Sequence, residues 1–363
     1  MSVDRPAPLR VLHVFGAMDR GGAETRTMEI MRQLDRTQVA FDFCVLSGRP
    51  GAYAAEIATL GGTIVPCRVP AQLAYLPSVF RRGGWNVVHS HVHHFSGAIL
   101  LAARLAGVRG RVAHLRTSDA GALTTQRRRL YEGAMRRLID ATATRVVAVS
   151  EAAMESFFGG AWRTDARRSV IYNGIDTAHF TQPIDRAAVR LSLDVPPTHY
   201  LLLHVGNFHP AKNHAALVNT AAHLVAQGLP FVLALVGDGP ERPAIEALVR
   251  GARLESQVRF LGARNDVADL LQAADCFVFP SRWEGLPGAV LEALAANLPV
   301  VASAIPPVLE IARQVDGVTC IDPADVAEFA AGITQRLRHR APTVLPPQFT
   351  TAVAWDGLLG CYA

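Results

Sequence analysis

The sequence predicts an α/β protein that folds into two domains, each with a parallel β-sheet. Short apolar runs typical of buried strands alternate with stretches of helical periodicity along the chain. The chain has 363 residues, 50% of them hydrophobic, and a chain of this length more often forms two cores than one. The alternation stops between about residues 178 and 197, where polar residues and prolines collect, and then restarts. We therefore place a domain boundary in that segment.

The first domain is predicted from apolar runs that each adjoin a helical stretch, as in successive βα units. The predicted strands span residues 10–15, 41–46, 63–67, 86–90, 111–115, 145–149 and 169–172. No sequence period of about 20–50 residues repeats, which argues against a solenoid. We expect an α/β domain.

The second domain repeats the pattern. Its predicted strands span residues 200–205, 231–236, 258–261 and 276–279, and its predicted helices span residues 212–226, 241–251 and 267–273. Residues 341–349 are rich in proline and are expected to be irregular, whereas residues 351–362 are compatible with a final helix.

The charge of the chain limits its partners. The formal net charge is +5, and 18% of the residues are charged. This moderate positive excess suits anionic small molecules or a membrane surface. Because no nucleic-acid-binding motif accompanies it, we expect no nucleic acid as a partner.

The cysteines and the apolar runs bear on the location of the protein. The five cysteines are scattered, odd in number and without a C-x-x-C pair, so we expect reduced residues in a cytoplasmic protein. No basic segment followed by an apolar one begins the chain, and no apolar run approaches the roughly 18 residues of a membrane span. We therefore expect neither export by a signal peptide nor insertion across a membrane.

The stretch most informative about function begins with a predicted buried strand, residues 276–279, and continues into a polar loop that carries Glu284 and Gly285. A segment with helical spacing follows. The loop thus lies at the carboxyl end of a strand, where ligands bind in open parallel sheets. The helix that follows directs unpaired N–H groups and the positive end of its dipole at the loop, so we expect an anion such as a diphosphate there.

Two carboxylates in this stretch are separated by seven residues, Glu284 and Glu292. If most of this interval is helical, they lie about 10–12 Å apart along the axis. The acid and base of a glycosidase lie about 5–9.5 Å apart, so the spacing argues against such a pair. We expect two separate acceptors that contact different hydroxyls of one extended ligand.

The same stretch resembles the signature of a known family. Pro-Ser-Arg-Trp-Glu-Gly-Leu-Pro-Gly-Ala-Val-Leu-Glu-Ala-Leu-Ala, from Pro280 to Ala295, followed by Leu-Pro-Val-Val-Ala-Ser, resembles the retaining GT-B glycosyltransferases, in particular the bacterial group 1 (family 4) set. The resemblance implies two Rossmann-like domains that face each other across a cleft. It implies an acceptor-binding domain over residues 1–180, a nucleotide-sugar-binding domain over residues 181–348, and a tail over residues 349–363 that packs back on the first domain.

The resemblance also implies roles for individual residues. Glu284 is expected to contact hydroxyls of the donor sugar, Glu292 the ribose, and Lys212 the diphosphate. The residues that we predict to bind the donor are Gly21, Gly22, Gly206, Asn207, Lys212, Arg264, Glu284, Gly285, Leu286, Pro287 and Glu292. The residues that we predict to act in catalysis are Glu284, Lys212, His91 and Arg116.

The sequence departs from the pattern of the family at two positions. Asn207 stands where an arginine is common beside the lysine, so half of the charge neutralisation is unassigned. Either Asn207 and backbone N–H groups suffice, or another arginine such as Arg282 contributes. Arg116 stands where a histidine is frequent, and an arginine cannot act as a base at neutral pH, although it pairs with phosphates and carboxylates.

A histidine-rich segment follows the predicted strand over residues 86–90. His89, His91 and His93 would share one strand face by period two, which suggests a metal site. No neighbouring Cys, Asp or Glu completes a ligand set, and similar glycosyltransferases carry His-x-His here without a metal, so we expect no metal. A polar cleft wall and a role in binding the sugar or the acceptor are equal alternatives for this segment.

A basic helical stretch covers residues 126–138. Its ordinary interpretation is a solvated helix face. The alternative is peripheral contact with anionic lipid, or with a lipid-linked acceptor, at the inner face of the membrane.

The sequence thus predicts a metal-independent, retaining hexosyltransferase that needs no cofactor besides its nucleotide-sugar co-substrate, a UDP-sugar being favoured. It would transfer a hexose or N-acetylhexosamine to a hydroxyl of a saccharide, a lipid-linked molecule or a small natural product. Neither glutamate is an obvious nucleophile. We therefore favour attack by the acceptor on the anomeric carbon from the same face that the leaving group departs from. Two alternatives stay open: a non-catalytic sugar-nucleotide-binding protein, and a sugar-nucleotide epimerase on the same fold.

Overall fold

The chain folds into two compact units. A computed structural model describes residues 7–69, 73–118, 125–339 and 342–362. One unit contains Met1–Gly174 and Thr351–Ala363, and the other contains Ile175–Thr350.

The first unit is built on a seven-stranded parallel sheet in the order β3-β2-β1-β4-β5-β6-β7. Its strands are β1 Leu9–Phe15, β2 Val39–Val45, β3 Ile64–Pro66, β4 Val87–Ser90, β5 Gly110–Leu115, β6 Arg145–Ala148 and β7 Arg168–Val170. Its helices are α1 Gly22–Gln33, α2 Ala54–Thr59, α3 Leu76–Gly83, α4 Ser96–Leu105, α5 Gln126–Thr142 and α6 Glu151–Phe158, joined at the end of the chain by α14 Thr351–Tyr362. All seven predicted strands exist, with ends that differ by one or two residues.

The second unit is built on a six-stranded parallel sheet in the order β10-β9-β8-β11-β12-β13. Its strands are β8 Tyr200–Val205, β9 Phe231–Val236, β10 Val258–Gly262, β11 Cys276–Phe279, β12 Val300–Ser303 and β13 Val318–Ile321. Its helices are α7 Arg186–Ser192, α8 His214–Ala226, α9 Arg242–Gly251, α10 Val267–Ala273, α11 Gly288–Ala295, α12 Pro306–Ala312 and α13 Val326–Arg338. The fold class is therefore confirmed as α/β with two Rossmann-like domains.

The division between the units falls earlier than the predicted one after residue 180. The backbone N–H of Ile175 donates to the carbonyl of Phe349 at 2.8 Å, and Ile175 forms a parallel bridge with Thr350. This bridge attaches the chain to the second unit from Ile175 onward, before the proline-containing segment that the sequence suggested as the linker.

The last helix belongs to the first unit. Leu358, Cys361 and Tyr362 are buried in the same apolar cluster as residues of β1 and β2. The ring of Trp355 meets that of Phe41 edge to face, with 5.8 Å between their centroids. The first unit therefore needs both ends of the chain to complete its core.

Each sheet has one point at which its strand order changes direction. In the first unit this point lies between β1 and β4, and in the second it lies between β8 and β11. Loops at the carboxyl ends of two such strands diverge and leave a crevice, which is where open α/β sheets bind ligands. We therefore expect functional groups at these two crevices.

Two further predictions concern membranes and thiols. Over residues 7–69, 73–118, 125–339 and 342–362, no helix combines the length and the apolar character needed to cross a bilayer. All five cysteines are free thiols, four of them buried.

Candidate functional site

The crevice of the second unit brings two of the predicted residues into direct contact. Lys212 lies between β8 and α8, and Glu284 lies between β11 and α11. The ammonium of Lys212 donates to Oε1 of Glu284 at 2.6 Å, and the side chains retain 23% and 14% of their exposure. The two residues are 72 positions apart in the chain, so only the adjacency of β8 and β11 brings them together.

A buried histidine joins these two strands beneath the ion pair. Nδ1–H of His204 donates to the carbonyl of Val278 at 2.8 Å, which leaves Nε2 with the lone pair. A Cβ at Gly206 would lie 2.9 Å from that Nε2 and 3.3 Å from methylene carbons of Lys212. Gly206 therefore leaves the space through which the lysine side chain passes.

Two hydrogen bonds fix the loops of this crevice to each other. The backbone N–H of Arg282 donates to the carbonyl of Ala211 at 2.7 Å. The side-chain amide of Asn213 donates to the carbonyl of Pro280 at 3.2 Å, and Asn213 itself has a left-handed φ of 53°. The residues around Lys212 and around Glu284 thus form one braced surface.

The loop after β9 packs against the loop after β8. Gly237 has a φ of +133°, and a Cβ there would lie 2.2 Å from the carbonyl oxygen of Gly206. Gly239, with a φ of +156°, approaches the backbone of Phe208 in the same way. These two glycines serve close backbone packing beside the exposed Asn207.

The segment between the two glutamates is only partly helical. The helix α11 begins at Gly288, with Pro287 as its N-cap, so the residues from Glu284 to Pro287 form a loop. Four of the seven residues between the glutamates, 288–291, are helical, so the distance of about 10–12 Å, which assumed helix over most of this interval, stays a prediction. Pro287 disfavours helical backbone at the residue before it, which accounts for the loop ahead of α11. Glu292 lies half-buried on α11, while Gly285, Leu286 and Pro287 are buried.

Arg264 follows β10. In the sheet, β9 lies between β10 and β8, the strand that borders the crevice. The guanidinium of Arg264 forms two hydrogen bonds with the carboxylate of Asp266, at 2.8 and 2.5 Å. The structure does not bring Arg264 into the group of residues around Lys212 and Glu284.

The first unit contains a buried cluster of imidazoles, which we call the histidine cluster: His13, His89 and His114, on β1, β4 and β5, and His91, which directly follows β4. Nδ1 of His13 lies 2.9 Å from Nε2 of His91, and Nε2 of His89 lies 3.0 Å from Nδ1 of His114. The hydroxyl of Tyr362, on α14, lies 2.7 Å from Nδ1 of His89.

Arg116 determines the tautomer of His91 and, through it, that of His13. Its Nε–H donates to Nδ1 of His91 at 3.2 Å, and its Nη1–H donates to the side-chain oxygen of Asn173 at 2.7 Å. Because Nδ1 of neutral His91 accepts, its proton lies on Nε2 and is donated to Nδ1 of His13. His13 then carries its own proton on Nε2, a buried atom that has no partner among the described residues.

Burial keeps these imidazoles neutral. Desolvation, followed by the nearby charge of Arg116, lowers the pKa of His13 to about 3. Desolvation also lowers the pKa values of His89, His91 and His114 well below the usual range. The same loss of solvent lowers the pKa of Arg116 to about 10, so it stays charged at neutral pH.

The ligand atoms of His13, His89 and His91 lie within 4.8 Å of one another, close enough to coordinate one metal ion. The hydrogen bonds of these histidines, however, are not those of metal ligands. Both nitrogens of His89 already have partners, and His91 would have to give up its last proton to bind a metal while accepting from Arg116. Metal-binding histidines instead donate their second N–H to an oxygen acceptor.

The glycines of the loop after β1 differ in their surroundings. A Cβ at Gly21 would lie 2.3 Å from a carboxylate oxygen of Glu24, whereas a Cβ at Gly22 would meet nothing within 4 Å. Burial raises the pKa of Glu24, and the charge of Arg116 opposes this rise. The space at Gly21 is thus already taken by a side chain of the same helix, while the backbone at Gly22 is open.

The sequence interpretation of the histidines needs a correction. His93 does not share a strand face with His89, because β4 ends at Ser90 and His93 has a φ of 49° in a short 3-10 turn. The third member of that face comes from another strand, since His13 of β1 pairs in register with His89 of β4. Sequence reasoning also missed Glu24 and Tyr362, for which no motif gave a signal.

Comparisons with known proteins match both units. The sequence profile described as Glycosyl transferases group 1 matches residues 199–339, and the profile described as Glycosyltransferase Family 4 matches residues 20–179. Over 305 residues the chain is 39% identical to the putative glycosyltransferase EpsF of Bacillus subtilis, an alignment that covers 81% of this chain and 79% of EpsF.

Two more distant similarities are informative. The chain is 28% identical over 240 residues to the UDP-Gal:alpha-D-GlcNAc-diphosphoundecaprenol alpha-1,3-galactosyltransferase of Escherichia coli, covering 64% of this chain and 61% of that enzyme. The crystal structure of HepE from Anabaena, in complex with UDP and glucose, superposes with a TM-score of 0.79 at 22% identity and covers 97% of this chain and 98% of HepE. The superposition shows that the fold is of the GT-B type.

Proposed function

We propose that this chain, which belongs to the group 1 and family 4 glycosyltransferases, is a retaining enzyme that takes a hexose or N-acetylhexosamine from a UDP-sugar. The acceptor is a hydroxyl of a saccharide, a lipid-linked molecule or a small natural product. The reaction uses no metal ion and no cofactor besides the nucleotide sugar.

The ion pair between Lys212 and Glu284 carries the proposal. It places a cation and a carboxylate 2.6 Å apart at the point where the strand order of the second sheet reverses. A nucleotide sugar offers the matching groups, an anionic diphosphate for the lysine and sugar hydroxyls for the glutamate. On donor binding, each side chain exchanges its present partner for one of these groups.

The choice of uridine rests on relatives. The donor in the name of the E. coli relative is UDP-Gal, and the HepE crystal contains UDP and glucose. In this chain, we assign the sugar hydroxyls to Glu284, the ribose to Glu292 and the uracil region to the loop of Arg264. The diphosphate is assigned to Lys212 and to the backbone N–H groups of Asn207, Gly285 and Leu286. Gly206, whose N–H donates to the carbonyl of Val236, and Pro287, which has no N–H, are assigned to the shape of these loops.

Charge development explains how such a site accelerates transfer. As the bond between the anomeric carbon and the diphosphate breaks, negative charge grows on the leaving oxygen. We assign the stabilisation of that charge to Lys212 and to the N–H groups at the start of α11. The acceptor oxygen attacks the face from which the diphosphate departs, and its proton passes to the departing phosphate oxygen. This route needs no protein nucleophile and retains the anomeric configuration.

His91 and Arg116 are assigned to the acceptor side, in the first unit. Arg116 remains charged and cannot remove a proton, so its role is to bind an anionic or polar group. Both ring nitrogens of His91 are engaged, one by Arg116 and the other by His13. We therefore assign His91 to the positioning of Arg116 and the acceptor rather than to general base catalysis.

We also propose that α5 makes peripheral contact with anionic lipid. Every residue from Gln126 to Tyr131 is exposed, and the large apolar side chains of Leu130 and Tyr131 keep 75% and 44% of their exposure next to three consecutive arginines. Apolar groups among basic ones suit a membrane surface.

Vesicles containing phosphatidylglycerol should bind the protein, and Leu130→Ser should weaken this binding. Leu191→Ser, at an equally exposed leucine of α7, should not. Equal binding to neutral and anionic vesicles would contradict the proposal.

Activity is tested by incubating the protein with several UDP- and GDP-sugars and a panel of acceptors while following nucleotide release and product. Wild-type protein should transfer from a UDP-sugar with retained configuration, and Glu284→Ala should reduce kcat/KM by at least about a hundredfold. Glu255→Ala, which removes an exposed carboxylate from the same unit, should leave activity unchanged.

The alternatives predict different outcomes in the same assay. A non-catalytic protein would be stabilised by the nucleotide and would form no product with any acceptor. An epimerase would release an altered donor without an acceptor. Transfer that survives Glu284→Ala would contradict the assignment of this residue.

A further inference from the structure

We propose that Arg282 provides the net positive charge for the donor diphosphate in this chain, acting beside Lys212. The inference rests on the proposed function and deepens it, because it names the residue that balances the second phosphate charge.

The need for a second cation follows from the ion pair. Lys212 faces Glu284 at 2.6 Å, so the charges of the two residues cancel before any donor arrives. Both phosphates of a nucleotide sugar are ionised, and anionic groups that leave water need opposite charge. One lysine that is shared with a carboxylate leaves the crevice without net positive charge.

Only one other basic side chain of these loops is unpaired. Among the loops that follow the strands of the second sheet, all of which are described, the Lys and Arg residues are Lys212, Arg264 and Arg282. Arg264 is paired with Asp266. The guanidinium of Arg282 is exposed and has no hydrogen bond or ion pair with any described residue. It is therefore the cation that remains available to a ligand.

The backbone places Arg282 next to Lys212. Its N–H donates to the carbonyl of Ala211 at 2.7 Å, which makes Arg282 the neighbour of Lys212 across the crevice. The preceding backbone is held as well, because the carbonyl of Ser281 accepts from the hydroxyl of Ser303 and the carbonyl of Pro280 accepts from Asn213. The base of the arginine side chain is thus fixed, while its guanidinium is free to meet a phosphate.

Arginine suits this task chemically. Its guanidinium forms paired hydrogen bonds with phosphate oxygens, and it keeps its charge at any neutral pH. Asn207, on the opposite loop, is uncharged and exposed. Arg282 and Lys212 together would place two cations around the diphosphate, with Asn207 contributing at most a neutral hydrogen bond.

The test compares the binding of UDP and of uridine by calorimetry in wild-type protein and three variants. Arg282→Ala should weaken UDP binding about tenfold or more, because it removes charge-assisted hydrogen bonds, and should leave uridine binding unchanged. Arg282→Lys should retain part of the UDP affinity because it retains the charge. Arg313→Ala is the matched control: Arg313 is an exposed, unpaired arginine of the same unit at the end of α12 remote from these loops, and UDP affinity should not change.

Each result bears on the inference. Equal UDP affinity of Arg282→Ala and wild type would overturn it, as would an equal loss of uridine and UDP binding, which would show that the side chain does not act on the phosphates. A lysine variant as weak as the alanine variant would overturn the role of charge. If wild-type protein bound neither UDP nor GDP, the proposed function itself would fail, and this inference with it.

Discussion

Among single residues, Lys212 and Glu284 form a pair that is well suited to exchange its partners. Their side chains keep only 23% and 14% of their exposure, so the pair is largely buried and neither charge leaves its partner without a replacement. A donor supplies these replacements, a phosphate for the lysine and a hydroxyl for the glutamate. The pair thereby holds both groups in place until the donor binds.

Gly206 provides the first prediction. A methyl group at this position would lie 2.9 Å from Nε2 of His204 and 3.3 Å from the methylenes of Lys212, so Gly206→Ala should displace the lysine. Overpacking of this kind typically costs about 1–3 kcal/mol. We expect a lower denaturation midpoint and weaker UDP-sugar binding, measured by urea unfolding and calorimetry.

The matched control for this change is Gly251→Ala. Gly251 ends α9, and a Cβ there would meet nothing within 4 Å. Alanine is the better helix former, so stability should stay equal or rise. Wild-type donor affinity in Gly206→Ala would show that Lys212 does not need this space.

Among the elements, α14 links the end of the chain to the histidine cluster. It adds Leu358 and Cys361 to the core of the first unit, and its Tyr362 hydroxyl lies 2.7 Å from Nδ1 of His89. Burial raises the pKa of Tyr362 well above its usual value, so the phenol stays protonated. The helix thereby contributes both apolar packing and a hydrogen bond to the buried imidazoles.

Tyr362→Phe is the prediction for this element. It keeps the ring and leaves a buried nitrogen of His89 without its partner, a loss that typically costs about 1–3 kcal/mol. The free energy of unfolding, measured with urea, should fall by that amount. Tyr131→Phe, at an exposed tyrosine of α5, should leave it unchanged. Equal unfolding of Tyr362→Phe and wild type would mean that the hydroxyl contributes nothing.

At the scale of the whole molecule, both units contain buried neutral histidines that make stability depend on pH. Their folded pKa values are depressed, with His13 at about 3 and His214 at about 4. The others lie well below the usual range: His89, His91, His114 and His204. Desolvation is the first cause in every case.

The sign of the effect follows from linkage. Histidines in the unfolded chain have a pKa of about 6.5. Between that pH and the lower folded pKa values, the unfolded chain therefore binds more protons than the folded protein. Stability is therefore fully present above about pH 6.5 and falls as the pH drops toward the folded pKa values. At pH 5.5 His13 and His214, with folded pKa values of about 3 and about 4, should each cost about 1.4 kcal/mol relative to pH 7.5.

Urea unfolding between pH 7.5 and pH 5.5 tests this dependence. His214→Phe should reduce the slope of the free energy of unfolding against pH, by the amount that corresponds to about one proton taken up on unfolding. Phenylalanine keeps the stacking on Phe208, at 4.0 Å between ring centroids, but it cannot titrate. A stability that stays constant down to pH 5.5 would show that the folded histidines bind protons as readily as the unfolded ones.

The sequence by itself determined the α/β class, the succession of strands and helices, and the stretch around Glu284. Apolar runs as regular as Tyr200–Val205 and Phe231–Val236 gave strands with the predicted ends, because burial on both faces leaves an unmistakable local pattern. The motif from Pro280 to Ala295 likewise indicated the family that the comparisons support, because its chemistry lies within one short segment.

Only the tertiary structure decided which residues meet. Lys212 reaches Glu284 because β8 lies beside β11, and His13 joins His89 because β1 pairs with β4. The hydroxyl of Tyr362 reaches the same cluster from the far end of the chain. Such contacts depend on strand order, which is set by the packing of whole helices on a sheet and leaves no trace in the spacing of residues along the chain.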